Sequence, residues 1–445
     1  MKTARITLRN TPRPPRAAPA TTADGAPASP QAWTLVGPGE SAEAARAGLA
    51  RRAERRTDLV TPQIRRSATG LPQRALAPGE IADGSAALPI LSMDSMAHAA
   101  HWSSAKAGQS AFGTAREAMR AIGAPWAAAA PFRPEPGLDG EGVNVVIVDE
   151  GLTESYLRSL VPGLNFMGGL VDLTAGRADP GRFSRARGAA HSWHGNMIAR
   201  NILRIAPRVK LWDAPLLPDR VADIPAFTDD ADDLLEGLEA AVDARGGAAE
   251  PWVVVNAWAV ADSIMERDLP LPPGRRYTDG RQNEFNEQVA GMAARFDFVF
   301  AAGNFGTFAP DSFAGLYDCG PGRSIKGANA LPEVLCVGAT TVQGDWVGAS
   351  SMGPGPAALA GGAENRKPDL CAPSWFSEPD DRGQLSTGTS AAAAVAAGLV
   401  AALRTTERTM PSAELFARLR DHALRPRGTG WDARMGHGLL CRPGA

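Results

Sequence analysis

From residue 140 onward, short apolar runs alternate with stretches of helical spacing. VNVVIVDE (143–150), VKLWDAP (209–215), WVVVNAW (252–258), FDFVFAAGN (296–304) and EVLCVGATT (333–341) have strand length and are rich in β-branched and aromatic residues. Few polar positions interrupt them, which predicts strands buried on both faces, as in a parallel sheet covered by helices. DDLLEGLEAAVDARG (232–246) has helical spacing up to a glycine, and TSAAAAVAAGLVAALR (389–404) reads as a buried helix. The alternation predicts an α/β domain over 136–445, a doubly wound, mostly parallel sheet sandwiched by helices.

Residues 1–135 read differently and are expected to form a separate N-terminal extension. Residues 13–30 are mostly Pro, Ala, Thr and Ser, too poor in large apolar groups to offset the entropy of ordering, so a disordered linker is expected. Residues 41–56 (SAEAARAGLARRAERR) are helix formers with arginines at the C-terminal end, which suits the helix dipole. ALPILSM (87–93) is an isolated apolar run, readable as an edge strand or as a segment lying in a cleft.

Composition narrows the function classes. The net charge of −2 and pI near 6.3 give no general attraction to nucleic acid, and no window holds the roughly 20 consecutive apolar residues needed to cross a bilayer. Residues 1–75 carry thirteen Lys/Arg against five Asp/Glu, but with Trp33 as their one aromatic they have no interleaved aromatic pattern, so this reads as a solvated face and not as a nucleic-acid surface. The N-terminus lacks the apolar stretch of a secretory signal, so a cytoplasmic protein is expected. Four cysteines (Cys319, Cys336, Cys371, Cys441) with no C-x-x-C pair point to reduced, buried thiols. The excess of Arg over Lys, with abundant Ala, Gly and Pro, reads as a GC-rich bacterial coding bias.

In doubly wound sheets ligands gather at the carboxyl ends of strands. Asp149, Asn256 and Asn304 each follow an apolar run there, where a turn former or helix cap is the plainer reading of any one of them. His194, in HSWHGNMIARNI, stands at a predicted helix start with an imidazole suited to proton transfer near neutrality. His191 makes an H-x-x-H with it, but no zincin glutamate or acidic third ligand accompanies the pair, so no metal is assigned. Ser390, in GQLSTGTSAAAAVAAG, falls in the first turn of the alanine-rich helix, where unpaired backbone N–H groups would stabilise an oxyanion; an ordinary N-cap is the alternative.

Taken together, VIVDEG, HGNMIA, AAGN and GTSAA, in the order Asp, His, Asn, Ser, resemble the subtilisin-like (S8-type) serine peptidases over about residues 140–440. The resemblance implies a serine endopeptidase acting on protein or peptide substrates through an acyl-enzyme. Asp149, His194 and Ser390 would form the triad, Asn304 would supply the side-chain donor of the oxyanion hole, and no cofactor would be needed. A catalytically restrained or inactive binding module on the same scaffold is the alternative. The extension would be propeptide-like or would bind a protein partner.

The sequence departs from the family pattern in places. Glu150 follows Asp149 where Thr or Ser is usual, and is expected to point away with little effect. His194-Gly195-Asn196-Met197 replaces H-G-T-H, and Ala394 and Val395 stand where Pro and His are common. VVVNAWAV (253–260) occupies the place of the substrate-binding strand, so Trp258, Ala259 and Val260, with Ala302 and Gly303, are the expected substrate contacts, and Trp258 and Val260 are expected to narrow the first specificity pocket. Acidic residues between Asp213 and Asp243 read as a solvated helix start; structural calcium, which many relatives bind, has no recognisable ligand spacing here.

Overall fold

A computed structural model describes residues 113–171, 188, 193–217, 224–245, 250–260, 266, 271–272, 274–306, 323–347, 350–378, 384–425 and 430–445, together with four short N-terminal strands. Those strands pair as two antiparallel ribbons, β1 (Arg5–Leu8) with β2 (Ala32–Leu35) and β3 (Gln63–Arg66) with β4 (Pro72–Ala75). The expected linker at 13–30, helix at 41–56 and apolar run at 87–93 lie outside the described residues.

The core is a seven-stranded sheet in the order β11-β10-β9-β8-β5-β7-β6, parallel throughout. The five predicted strands form, as β5 (Asn144–Asp149), β7 (Lys210–Pro215), β8 (Trp252–Asn256), β9 (Asp297–Ala301) and β10 (Leu335–Thr340). Two edge strands complete the sheet, β6 (Asn165–Gly169) and β11 (Leu370–Pro373), with a small hairpin of β12 (Phe376–Glu378) and β13 (Gln384–Ser386) after them. Successive side chains of a strand point to opposite faces. Accordingly Val145 and Ile147 enter one core while Val146 and Val148 enter the other, which explains why β5 is apolar without alternation.

The first core lies under α1 (Ala115–Ala121), α2 (Pro125–Ala129), α4 (Trp193–Ile205), α7 (Gly388–Arg404) and α8 (Ser412–Asp421), with α3 (Glu154–Leu160) beside α4. Every residue of α7 is buried, and its alanines let it approach the sheet and α4 closely. A Cβ on Gly398 would stand 3.2 Å from the Ile202 Cα, so even one methyl group would press the two helices apart. The second core lies under α5 (Ile224–Asp243) and α6 (Glu284–Met292). Among the described residues, no helix is long and apolar enough to cross a membrane.

Two expectations change. Helix α5 starts eight residues ahead of its expected first residue, because Ile224, Phe227 and Thr228 are buried in its first turns. The packed unit also includes residues from 113 on, ahead of the expected boundary at 136: Ala115, Ala118 and Met119 share the core of the sheet, and Trp126 Nε1 donates to the Ile205 carbonyl at 3.1 Å. Thr114 caps α1 through a reciprocal box with Glu117, a signal that small apolar residues around it obscured. Cys336 and Cys371 are buried, and burial pushes both thiols up, away from reactive thiolates; Cys319 lies outside the described residues.

The acidic run lies on α5. Burial, followed by the like charges of Glu236, Glu284, Asp233 and Asp229, raises Asp232 to about 6. Its folded value exceeds its unfolded value, so ionisation opposes folding, and stability is lost as pH rises through about 6. Asp232→Asn is therefore expected to raise the melting temperature by ~1–3 °C at pH 8, after allowing for solvent screening, and to leave it unchanged near pH 4. Paired thermal melts at the two pH values check this.

Candidate active site

Asp149 is the last residue of β5 and fully buried; Glu150 N donates to its Oδ1 at 2.8 Å. His194 is the second residue of α4, and its Nδ1 lies 2.9 Å from both Asp149 Oδ1 and Oδ2. The carboxylate thus holds the proton on Nδ1 and leaves Nε2 as the basic nitrogen of the neutral ring.

The loop between β5 and α3 is tied to the histidine helix. Thr153 N donates to Asn196 Oδ1, and Asn196 Nδ2 donates to Thr153 Oγ1, each at 2.9 Å. A Cβ on Gly195 would stand 2.3 Å from the Gly151 carbonyl oxygen, so only glycine lets the helix start this close to the aspartate loop. Asp213, on the adjacent strand β7 and paired there with Ile147, uses Oδ2 to accept from Leu152 N (3.3 Å) and Gly188 N (2.8 Å), which braces the same loop.

Burial would lower the His194 pKa, but the charge of Asp149 and its hydrogen bond, with the charge of Glu150 added, raise it overall. The charge of Glu150 is the smallest of these influences. Since the base form of the imidazole is needed for proton abstraction, kcat/KM is expected to fall on the acid side with an apparent pKa above 6.5. The same shift favours the folded state fully below the ordinary histidine value, and that contribution is lost as pH rises through the raised one. A pH–rate profile on any cleaved peptide reads the limb.

Ser390 lies in the first turn of α7, where its N–H has no partner four residues back in the helix. Its Oγ donates to the Ala257 carbonyl at 3.0 Å, just beyond the end of β8. A hydroxyl has one proton to give, and in this conformation it goes to that carbonyl and not to the imidazole.

Asn304 follows β9 and is anchored by the residue before the serine. Thr389 N and Thr389 Oγ1 donate to Asn304 Oδ1 at 3.0 and 3.1 Å, and Gly303 N donates to Thr389 Oγ1 at 3.0 Å. With two donors on Oδ1, the orientation of the carboxamide is set, and Nδ2 is its donor end. Gly303 needs φ +99°, and a Cβ there would meet Ser351 Oγ at 2.9 Å and Ala259 Cβ at 3.0 Å. Thr389 was not singled out from the sequence; a threonine among small residues gives no sign that it grips a side chain 85 positions away.

The expected substrate contacts are placed differently. Trp258 is fully buried in the second core, edge-on to Phe227 (5.2 Å) and Phe300 (5.8 Å) and stacked on Phe285 (6.0 Å). It packs as a core residue, and its carbonyl accepts from Asn329 Nδ2 at 2.7 Å. Ala259, Val260 and Ala302 are buried as well, and Gly303 uses its N–H for Thr389 and its carbonyl for Ser351 N. The apolar side chains that suggested a narrow pocket are instead drawn into the core by the aromatic rings of α5, α6 and β9. His191 lies outside the described residues, and among the described residues no group of three or more His, Cys, Asp or Glu is placed to hold a metal ion.

A parallel α/β sheet with a buried imidazole–carboxylate pair at its carboxyl edge, and a serine opening the central helix beside an anchored asparagine, defines a serine peptidase class of hydrolase. The chain belongs to the subtilase family: the model of the family matches residues 177–438, more than half of the sequence. That match includes His194, Asn304 and Ser390, while Asp149 lies ahead of it and is tied to the site by its contact with His194. No curated protein matches the sequence.

Among solved structures, the chain is similar to the S41 psychrophilic protease, with 20% identity and a TM-score of 0.46 over 68% of this chain and 92% of that one. It is also similar to MycP1 from the ESX-1 type VII secretion system, with 17% identity and a TM-score of 0.47 over 76% and 87% of the two chains. A cold adapted subtilisin-like serine proteinase matches with 17% identity and a TM-score of 0.46 over 70% and 92%.

Proposed function

We propose that the chain is a serine endopeptidase that cleaves peptide bonds through an acyl-enzyme, with Asp149, His194 and Ser390 as its triad. The observation that carries this reading is the Asp149–His194 pair, fully buried at the strand edge from which the nucleophile helix also starts. Ser390 Oγ would leave the Ala257 carbonyl, give its proton to His194 Nε2 and attack the scissile carbonyl. The ring would then return the proton to the leaving amine, and Asp149 would stabilise the imidazolium in between. Asn304 Nδ2 and the Ser390 N–H would hold the oxyanion. Water repeats the sequence to release the acyl group, so no cofactor is called for.

A fluorophosphonate probe tests this directly. Ser390 of the wild-type chain should be labelled and the Ser390→Ala variant should not; an unlabelled wild-type chain sinks the proposal.

Two observations favour the second reading, a restrained scaffold: the hydroxyl is engaged by Ala257, and the expected substrate-contact side chains are buried. The restraint would be the N-terminal region ahead of Gly113, the first residue of the described domain. A chain beginning at Gly113, which keeps the Thr114 cap, should then cleave peptides faster than the full chain; equal rates would remove the region from regulation. Either outcome leaves the labelling result intact.

A further inference from the structure

Helix α4 carries a polar stripe on the side that meets the run-in to Ser390. Met197, Arg200, Asn201 and Arg204 stand at i, i+3, i+4 and i+7, one face of a helix. Each reaches the stretch 378–387. Met197 Sδ accepts from Thr387 N at 3.4 Å, and Asn201 Nδ2 and Arg200 Nη2 donate to Ser386 Oγ at 2.8 and 3.3 Å. Ser386 Oγ donates to Glu378 Oε1 at 2.7 Å, and Arg204 Nη2 donates to Glu378 Oε2 at 2.5 Å, with Arg200 Nε 3.6 Å from Oε1.

This network is buried, with Arg200, Asn201, Glu378 and Ser386 wholly so. Two guanidinium groups and one carboxylate buried between α4 and the hairpin are expensive, and apolar residues of the same volume would hold the two elements together at least as well. Apolar contacts tolerate sliding, however, whereas hydrogen bonds fix distance and direction. The network joins the two elements whose relative position decides catalysis. His194 starts α4, and Ser386 lies four residues before Ser390, so a slip of the hairpin β12–β13 along α4 would carry the nucleophile away from the base.

We infer that Glu378 and Ser386 are positioning residues for the proposed serine chemistry, holding the nucleophile segment in register with the histidine helix so that Ser390 Oγ and His194 Nε2 meet when the hydroxyl turns. The inference rests on the triad reading, and neither residue touches the reacting atoms.

The full chain is tested with a fluorophosphonate, which needs no knowledge of the substrate. In that reaction the Ser390 Oγ–phosphorus bond forms, the phosphorus–fluorine bond breaks, fluoride leaves and the serine proton passes to His194. In Ser386→Ala, the rate of covalent bond formation at saturating probe is expected to fall ~10–100-fold, the scale of a displacement of about 1 Å. Probe affinity should stay within about twofold, a split that marks loss of alignment and not of binding. Ser386→Thr, which restores the hydroxyl, should recover most of the rate. Glu378→Gln keeps the shape and one acceptor and should show an intermediate loss.

Rates are taken on the folded fraction, measured by tryptophan fluorescence. Should Ser386→Ala not fold, Glu378→Gln decides by the same criteria. An unchanged bond-forming rate, a loss confined to probe affinity, or a loss that only follows the unfolded fraction overturns the inference. A wild-type chain that does not react at all overturns instead the triad reading beneath it.

Discussion

Asp149→Asn is expected to lower kcat by about 10⁴-fold while the protein still folds. The carboxylate oxygens both sit 2.9 Å from His194 Nδ1, so a carboxamide of the same shape fits the same space. It can turn its NH₂ toward Nδ1, which places the ring proton on Nε2, the nitrogen that has to accept the proton of Ser390. It also withdraws the charge that raises the imidazole pKa. With that charge gone, burial is the largest influence left, so the acid limb of the pH–rate profile should move down while the plateau collapses. Steady-state kinetics from pH 5 to 9 measure both. A variant retaining a tenth of the wild-type rate would mean that Asp149 does not orient the base.

Asn304→Asp is expected to lower kcat by at least about 10²–10³-fold, with KM little changed. Asparagine does two jobs in this site. Its Oδ1 is fixed by Thr389 N and Oγ1, which an aspartate oxygen preserves, so the start of α7 keeps its anchor. Its Nδ2 is the donor that would meet the developing oxyanion, and an aspartate replaces that donor with a negative oxygen. The change therefore separates anchoring from catalysis, which Asn304→Ala would confound by also leaving a buried N–H unpaired. Single-turnover rates and a melting curve measured together distinguish the two; a large drop in melting temperature with an intact rate would assign Asn304 to structure alone.

The sheet was readable from the sequence because burial on both faces makes a strand continuously apolar, and β5, β7, β8, β9 and β10 all obey that rule. The edge strands β6 and β11 were not, since β6 (NFMGG) is partly exposed and glycine-rich and β11 (LCAP) spans only four residues. The positions of the candidate residues Asp149, His194, Asn304 and Ser390 were equally legible, because each ends or follows a strand or opens a helix within a local motif.

What the chain by itself determined is thus the chemistry at single positions: a carboxylate after an apolar run, an imidazole at a helix start, a hydroxyl before a row of alanines. Tertiary structure alone decided how these positions are held and which way their neighbours face. Trp258 turned from an expected pocket wall into a core residue because three aromatic rings from separate elements surround it. Arg200 and Arg204 carry no sign in the sequence of their partner, Glu378, which lies 174 positions beyond Arg204 and is folded against both. The physical reason is that local pattern encodes burial and backbone preference over a few residues, whereas the partner of a buried polar group is chosen by contacts between distant segments.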